Sequence, residues 1–268
     1  MSNDAPLKVE KDGFVAWLIL NRPEKRNTMN YAFFDALIHH FTEFDKDPDV
    51  RAVVIKAEGK SFTAGIDLME MAPMLQGNGV EFRERLRKNI IQFQESMNVI
   101  ERCRKPVIAA VHSHCIGGGV DLISACDIRL ATKDAVFSIR ETRIAIIADL
   151  GTLQRLPHII GHGWFRELAL TGRDFSGEEA LKMGLITRLC QDRDSLYDEA
   201  GKLALQIASN PPMTVQGVKD VILYSRDHGV YPGLTYVAQK NAAQLPSEDL
   251  MEAFQAFMEK RAPQFKGK

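Results

Sequence analysis

The sequence predicts an α/β chain that ends in an all-helical region. Two observations carry that expectation. Through the first 140 residues, apolar runs of β-branched character alternate with segments whose apolar residues recur at helical spacing. From about residue 195 onward the strand-like runs stop and four amphipathic segments follow. The expected division is a core over residues 1–194 and a helical region over residues 195–268.

Each element has its own warrant. "FVAWLILN" (14–21) and "VRAVVIKAEG" (50–59) are apolar strands closed by turn residues. Between them, "NYAFFDALIHHFTEFDKD" (30–47) sets Phe33, Phe34, Leu37, Ile38, Phe41 and Phe44 at helical spacing. A long helix is expected over about 80–103. "PVIAAVHSHCIGGGVDLISACD" (106–127) reads as buried strand, glycine turn and helix, and "DIRLAT" and "AVFSI" add two short strands. "SLYDEAGKLALQIASN", "TVQGVKDVILYSRDHG", "LTYVAQKNAAQL" and "EDLMEAFQAFMEKRAP" are helices with apolar stripes, which the main domain or a neighbouring subunit must cover.

The 268 residues are 45% hydrophobic and 26% charged, ordinary values for a soluble globular protein able to bury a sizeable core. With a net charge of −1 and interspersed signs, nothing offers a surface for nucleic acid or membrane. The polar start "MSNDAPLKVEKDG" lacks the apolar core of a signal peptide, no window approaches the roughly 18 apolar residues of a membrane span, and "FKGK" is no peroxisomal address. A cytoplasmic location is the resulting expectation. Cys103, Cys115, Cys126 and Cys190 form no CxxC pair and read as buried free thiols.

Chemistry is concentrated in two glycine-bearing turns and three acids. In "IGGGVD" the glycines let the backbone turn sharply, and the amides opening a helix can hold an oxyanion; a close-packed turn without ligand fits equally. The chain lacks GxGxxG and P-loop patterns. "KSFTAGIDLMEM" (60–71) places Ala64, Gly65, Ile66 and Asp67 in a compact turn, where Asp67 serves as a cap. Asp121 follows the glycines, Glu141 lies 20 residues beyond it and Asp149 28 beyond. Any one of these acids alone reads as a solvated or capping residue. Together, beside Ile144, Ile146, Ile147 and Leu150, they read as carboxylates whose pKa apolar walls raise for proton exchange. His112 and His114 alternate as on one side of a strand, but no third ligand accompanies them and no metal is expected. Without a GxSxG elbow, and with no base partner for Ser138 or Cys115, no covalent nucleophile is expected either.

Taken together, "NRPEKRNTMN", "GKSFTAGIDL", "IGGGVDLISACDIRLAT", "LGTLQRLPHIIG" and "LTGRDFSGEEALKMGLITRL" resemble the crotonase (enoyl-CoA hydratase/isomerase) superfamily, in order and over nearly the whole chain. The resemblance implies a spiral of ββα units, a C-terminal helical region for trimerisation and pocket cover, a homotrimer or dimer of trimers, and an acyl-coenzyme A substrate. Coenzyme A belongs to that substrate, so no separate cofactor is implied. The oxyanion hole would be the backbone N–H groups of Ile66 and Gly118, holding the thioester oxygen as it becomes an enolate. Losing one such donor typically costs about 3 kcal/mol, roughly a hundredfold in rate. Segments 22–26 and 64–67 resemble those that hold the coenzyme A nucleotide, with Lys25 and Arg26 as phosphate contacts, or, each taken singly, as solvated charge. Ala64, Gly65 and Asp67 would join them.

The acids separate branches of the superfamily. Hydratases carry glutamates at positions matching Asp121 and Glu141 and a small residue matching Asp149. The pattern here resembles instead members that shift both double bonds of a 3,5-dienoyl thioester to the 2,4 positions. That reaction moves a proton from C2 to C6, farther than one carboxylate easily reaches. By this analogy Glu141 is the base at C2, Asp149 the acid at C6, and Asp121 orients or tunes them; exchanged roles for the first two stay open. Arg140 and Arg143 either pair with Glu141, which would lower its basicity, or point to solvent. Two other functions remain: hydration of a 2-enoyl thioester by Asp121 and Glu141, and a non-catalytic scaffold or RNA-binding role, for which the charge offers little.

Overall fold

The computed structural model describes residues 5–268. Among the described residues the strands are β1 (Leu7–Asp12), β2 (Val15–Leu20), β3 (Ala52–Ala57), β4 (Val107–Val111), β5 (His114–Ile116), β6 (Ile128–Thr132), β7 (Val136–Ser138), β8 (Asp174–Ser176) and β9 (Arg188–Cys190). The helices are α1 (Tyr31–Lys46), α2 (Leu68–Met71), α3 (Gly79–Arg102), α4 (Gly118–Ser124), α5 (Thr152–Arg155), α6 (Pro157–Thr171, kinked at Gly161), α7 (Gly177–Met183), α8 (Arg193–Ala208), α9 (Pro212–His228), α10 (Val230–Gln244) and α11 (Glu248–Glu259).

Six strands form one sheet in the order β1-β2-β3-β4-β6-β9, and β5-β7-β8 form a second. In the large sheet β1 and β2 are antiparallel, whereas β2, β3, β4, β6 and β9 run parallel. Parallel strands covered on both faces read as unbroken apolar runs, and the pleat divides them. Val53, Ile55, Val107, Ala109 and Val111 face one core with the α1 phenylalanines, while Ala52, Val54, Ile108 and Ala110 face another with α8. On α1, Asn30 caps the first turn by accepting from the Phe33 amide at 3.0 Å, and Phe33, Phe34, Leu37 and Phe41 are buried. Leu196, Ala200, Ala204 and Ala208 seat α8 on the opposite face, so the first C-terminal helix shares the sheet's core. On α9 to α11, large apolar side chains including Ile222, Leu234, Phe254 and Phe257 are exposed.

The expected strands and long helices form within a few residues of their anticipated limits. The additional strands have a physical reason for their weak signal. β1 is an edge strand with only Leu7 buried, so "KVEKD" shows no apolar pattern, and β8 and β9 have three residues each. His112 and His114 do not share a strand face. Ser113, at φ 52°, breaks the chain between β4 and β5. His112 is buried, with Nε2 3.2 Å from the Gly59 carbonyl and Nδ1 3.1 Å from the Tyr197 hydroxyl, while His114 is exposed.

Candidate active site

The two glycine-bearing turns lie side by side. The Thr63 amide donates to the His114 carbonyl at 2.9 Å, and the Ile116 amide to the Thr63 carbonyl at 3.2 Å. Gly65, at φ 90°, is held so close to β5 that a Cβ would stand 2.8 Å from the Ile116 carbonyl oxygen and 3.7 Å from the Gly118 nitrogen. A Cβ on Gly118 would in turn lie 3.9 Å from the Ile66 nitrogen. Among the described residues, neither the Ile66 nor the Gly118 N–H donates a backbone hydrogen bond, whereas Gly65, Asp67 and Gly117 amides are all engaged. Two neighbouring free donors, one at the start of α4, are the elements of an oxyanion cradle.

Asp121, Glu141 and Asp149 line one cleft of about 140 Å³ with Ala64, Gly65, Ile66, Gly118, Ile144 and Leu150. Asp121 is buried in the first turn of α4, where its Oδ1 accepts from the Thr152 amide at 2.7 Å. Burial pushes this carboxyl up to about 6 despite that hydrogen bond. Glu141 opens a short 3₁₀ turn closed by Ala145 in the left-handed region, and its buried Oε2 has no hydrogen-bond partner. Burial, followed by the nearby Asp121 charge, raises Glu141 to about 7. Asp149 is half-buried and is also raised by burial. Its carbonyl accepts from Gln94 Nε2 on α3 at 2.8 Å, which fixes the loop between Glu141 and α5. All three carboxyls are raised by burial, the setting in which carboxyls serve as proton donors and acceptors.

The arginines leave Glu141 free: Arg140 pairs with Asp174, and the stem of Arg143 packs beside Gly172. Asp67 has a structural task. It caps α2 through the Glu70 amide at 3.1 Å, accepts from Thr28 Oγ1 at 3.0 Å, and lies 3.4 Å from Arg22. Burial opposes its ionisation, but these hydrogen bonds and charges hold its pKa below the usual value. Arg22 also pairs with Glu70 at 2.5 Å. Lys25 and Arg26 are exposed and enter no ion pair among the described residues, while the Arg26 carbonyl accepts from the Ala64 amide at 3.0 Å. Thus segments 22–26 and 64–67 meet at the cleft's edge.

Several contributors escaped sequence reasoning. Asn27, buried in the left-handed region, donates to the Glu58 and Ser61 carbonyls at 2.8 and 2.9 Å and ties segment 22–28 to the Ala64 turn. Gln94 and the Thr152 amide hold Asp149 and Asp121 in place. An asparagine in a polar stretch, a glutamine on a helix and a backbone amide carry no local signature. Only the spatial contact identifies them.

The fold and site define an enzyme-type pocket in which two free backbone donors stand beside three acids raised by burial. The chain belongs to the enoyl-CoA hydratase/isomerase family, which matches residues 10–268. It is 46% identical over 266 residues to a Dictyostelium discoideum protein named Delta(3,5)-Delta(2,4)-dienoyl-CoA isomerase, mitochondrial, covering 97% of this chain and 91% of that one. An Arabidopsis thaliana protein with the same activity in its name, designated peroxisomal, is 44% identical, covering 97% of this chain and 95% of the relative. The fold matches a crystal structure of enoyl-CoA hydratase from Bacillus anthracis with a TM-score of 0.91 and 33% identity, over 98% of this chain and all (100%) of that one. The architecture is therefore the crotonase fold. The mitochondrial and peroxisomal names also overturn the expectation of a cytoplasmic protein.

Proposed function

We propose that this protein converts a 3,5-dienoyl-CoA to the 2,4-dienoyl-CoA. The observation that carries the reading is the third acid: Asp149 stands with Asp121 and Glu141 on one cleft, where hydration needs only a pair. The names of relatives at 44–46% identity support it independently. The thioester carbonyl accepts from the Ile66 and Gly118 amides. Glu141 removes a C2 proton, leaving an extended enolate whose charge those two donors stabilise. Asp149 then protonates C6, and collapse of the enolate restores the carbonyl with the double bonds at C2 and C4. Asp121 holds the Thr152 amide and raises Glu141 by its charge. Lys25 and Arg26 meet coenzyme A phosphates at the edge, with Ala64 and Gly65 along its path and Asp67 bracing that turn. Ile144, Ile146 and Leu150 line the cleft and help keep water from the dienolate.

The exposed apolar residues of α9 to α11 support a homotrimer or dimer of trimers, with residues 195–268 supplying contacts and pocket cover. A second reading, hydration of a 2-enoyl-CoA, is favoured by the likeness to the Bacillus anthracis hydratase. Incubation with a 3,5-dienoyl-CoA and with a 2-enoyl-CoA separates the two, because only isomerisation creates the 2,4-dienoyl chromophore. Rapid hydration without that chromophore would defeat the isomerase reading.

A further inference from the structure

A second cavity, of about 410 Å³, meets the acid-lined cleft at Asp149 and Leu150, the two residues common to both. Its character is different. Where the cleft is walled by Ile66, Ile116, Ile144 and Ile146, the second cavity is lined by Gln94, Asn98, Glu101, Gln154, Arg155 and His158. Water occupies about 30 Å³ per molecule in the liquid, so this polar space has room for several. Gln154 and His158 are exposed, which places its mouth on the surface.

The chemistry proposed above leaves a proton imbalance that this cavity can resolve. After each turnover Glu141 carries the proton taken from C2, and Asp149 has lost the one delivered to C6. Before the next turnover Asp149 must gain a proton and Glu141 must lose one. Glu141 is buried beneath Gly117 with an unpartnered oxygen, while Asp149 borders a polar cavity open to water. We propose that the cavity lined by Gln94, Asn98, Gln154 and His158 is a solvent port through which Asp149 is reprotonated between turnovers. Water is the proton donor. The Asp149 carboxylate takes H⁺ from the port, and Glu141 returns its proton to bulk water through the cleft once product has left, so each cycle exchanges one proton in and one out. Gln94, which holds the Asp149 carbonyl at 2.8 Å, keeps Asp149 at the junction and is a positioning residue.

The inference rests on the isomerase reading, and the experiment separates their failures. Turnover of a 3,5-dienoyl-CoA by the intact wild-type protein in ²H₂O is expected to give product with solvent deuterium at C6. Hydrogen carried from substrate C2 to C6 instead would overturn the port while leaving isomerisation standing. No dienoyl product at all would remove both. Gln154→Phe fills the cavity from an exposed helical position. Rapid mixing after equilibration should then show one product per site formed at close to the wild-type rate, followed by steady turnover slower by about tenfold or more. A first turnover slowed in proportion, or an unchanged steady rate, overturns the proposal, because only recharging distinguishes the first cycle from later ones.

Discussion

The carboxylate of Glu141 rests on the backbone of Gly117, so closely that a Cβ added at 117 would stand 2.9 Å from Oε1. Gly117 also adopts φ 54°, ψ −120°, a conformation that side chains strain. Gly117→Ala therefore has to displace the acid or rotate the turn that presents the Gly118 amide. The expected cost is roughly 1–3 kcal/mol of stability. Turnover should fall by about a hundredfold, since a small displacement of a reacting group has that effect. Thermal unfolding and kcat on a dienoyl-CoA check this; wild-type turnover in the alanine variant would refute the placement of Glu141.

Asp121 illustrates a site residue held against the stability of the fold. Its carboxyl is raised from 3.8 to about 6, chiefly by burial. Between those values the unfolded chain loses this proton while the folded protein keeps it, so stability falls as pH rises, and above about 6 the full penalty applies. That change corresponds to about 3 kcal/mol. Asp121→Asn keeps an oxygen for the Thr152 amide and removes the charge. The variant should be more stable than wild type at pH 8, by up to about 3 kcal/mol, with little gain near pH 4. Denaturant unfolding at both values decides it: equal gains would mean that burial of the charge is not the cause.

Legibility in the sequence follows the range of the forces involved. The α1 stripe and the buried strands were readable because burial repeats with the period of the backbone, and Phe33, Leu37, Val53 and Ile55 are buried accordingly. The acids were readable because Asp121, Glu141 and Asp149 sit beside apolar or glycine-rich stretches. β1 was not, because a solvated edge strand needs no apolar pattern. Asp67 illustrates a different limit. Its capping position was legible, but its contacts with Thr28 and Arg22 come from segments about 40 residues away and only the folded chain shows them. Gln94, Asn27 and the Thr152 amide act through similarly long-range contacts.

The back layer offers a test of packing separate from chemistry. Leu196 on α8 is fully buried against the sheet face that carries Val54 and Ile108. Leu196→Ala should lower stability by about 2–5 kcal/mol, through lost burial and the cavity left behind. It belongs to the α8 core and lines no part of the acid cleft, so kcat should stay within about twofold of wild type below the unfolding transition. Chemical denaturation measures the first effect and initial rates the second. A loss below about 1 kcal/mol would mean that α8 is not seated on the sheet as described.

The pH profile tests the base. Glu141 has to be ionised to accept the C2 proton, and its carboxyl is raised to about 7. Activity should therefore climb through about 7 as pH rises, rather than through the ordinary carboxylate range, and fall again where Asp149, the acid, loses its proton. Because Asp121 and Asp149 border the same cleft, the limb belongs to the cluster and not to one residue. Replacing Asp121 with Asn removes a neighbouring negative charge and should move the limb to lower pH. A kcat/KM profile already flat above pH 5 would exclude Glu141 as the base.

Asp149→Asn separates the two proton transfers. The Ile66 and Gly118 amides and Glu141 are untouched by this change, so the variant should still bind substrate and still remove the C2 proton. Without an acid at the far end, C6 is not protonated, and isomerisation should drop by about 10²–10⁴-fold with KM little changed. The enolate then has one quick route, recapture of a proton at C2. In ²H₂O the recovered substrate gains deuterium at C2 to the extent that Glu141 trades its proton with solvent during the longer life of the enolate, while 2,4-dienoyl absorbance scarcely grows. Mass spectrometry of the recovered thioester reads the first and absorbance the second. C2 exchange that persists while isomerisation is lost would identify Glu141 as the base and Asp149 as the acid. Isomerisation surviving intact would show that the proton reaches C6 without Asp149.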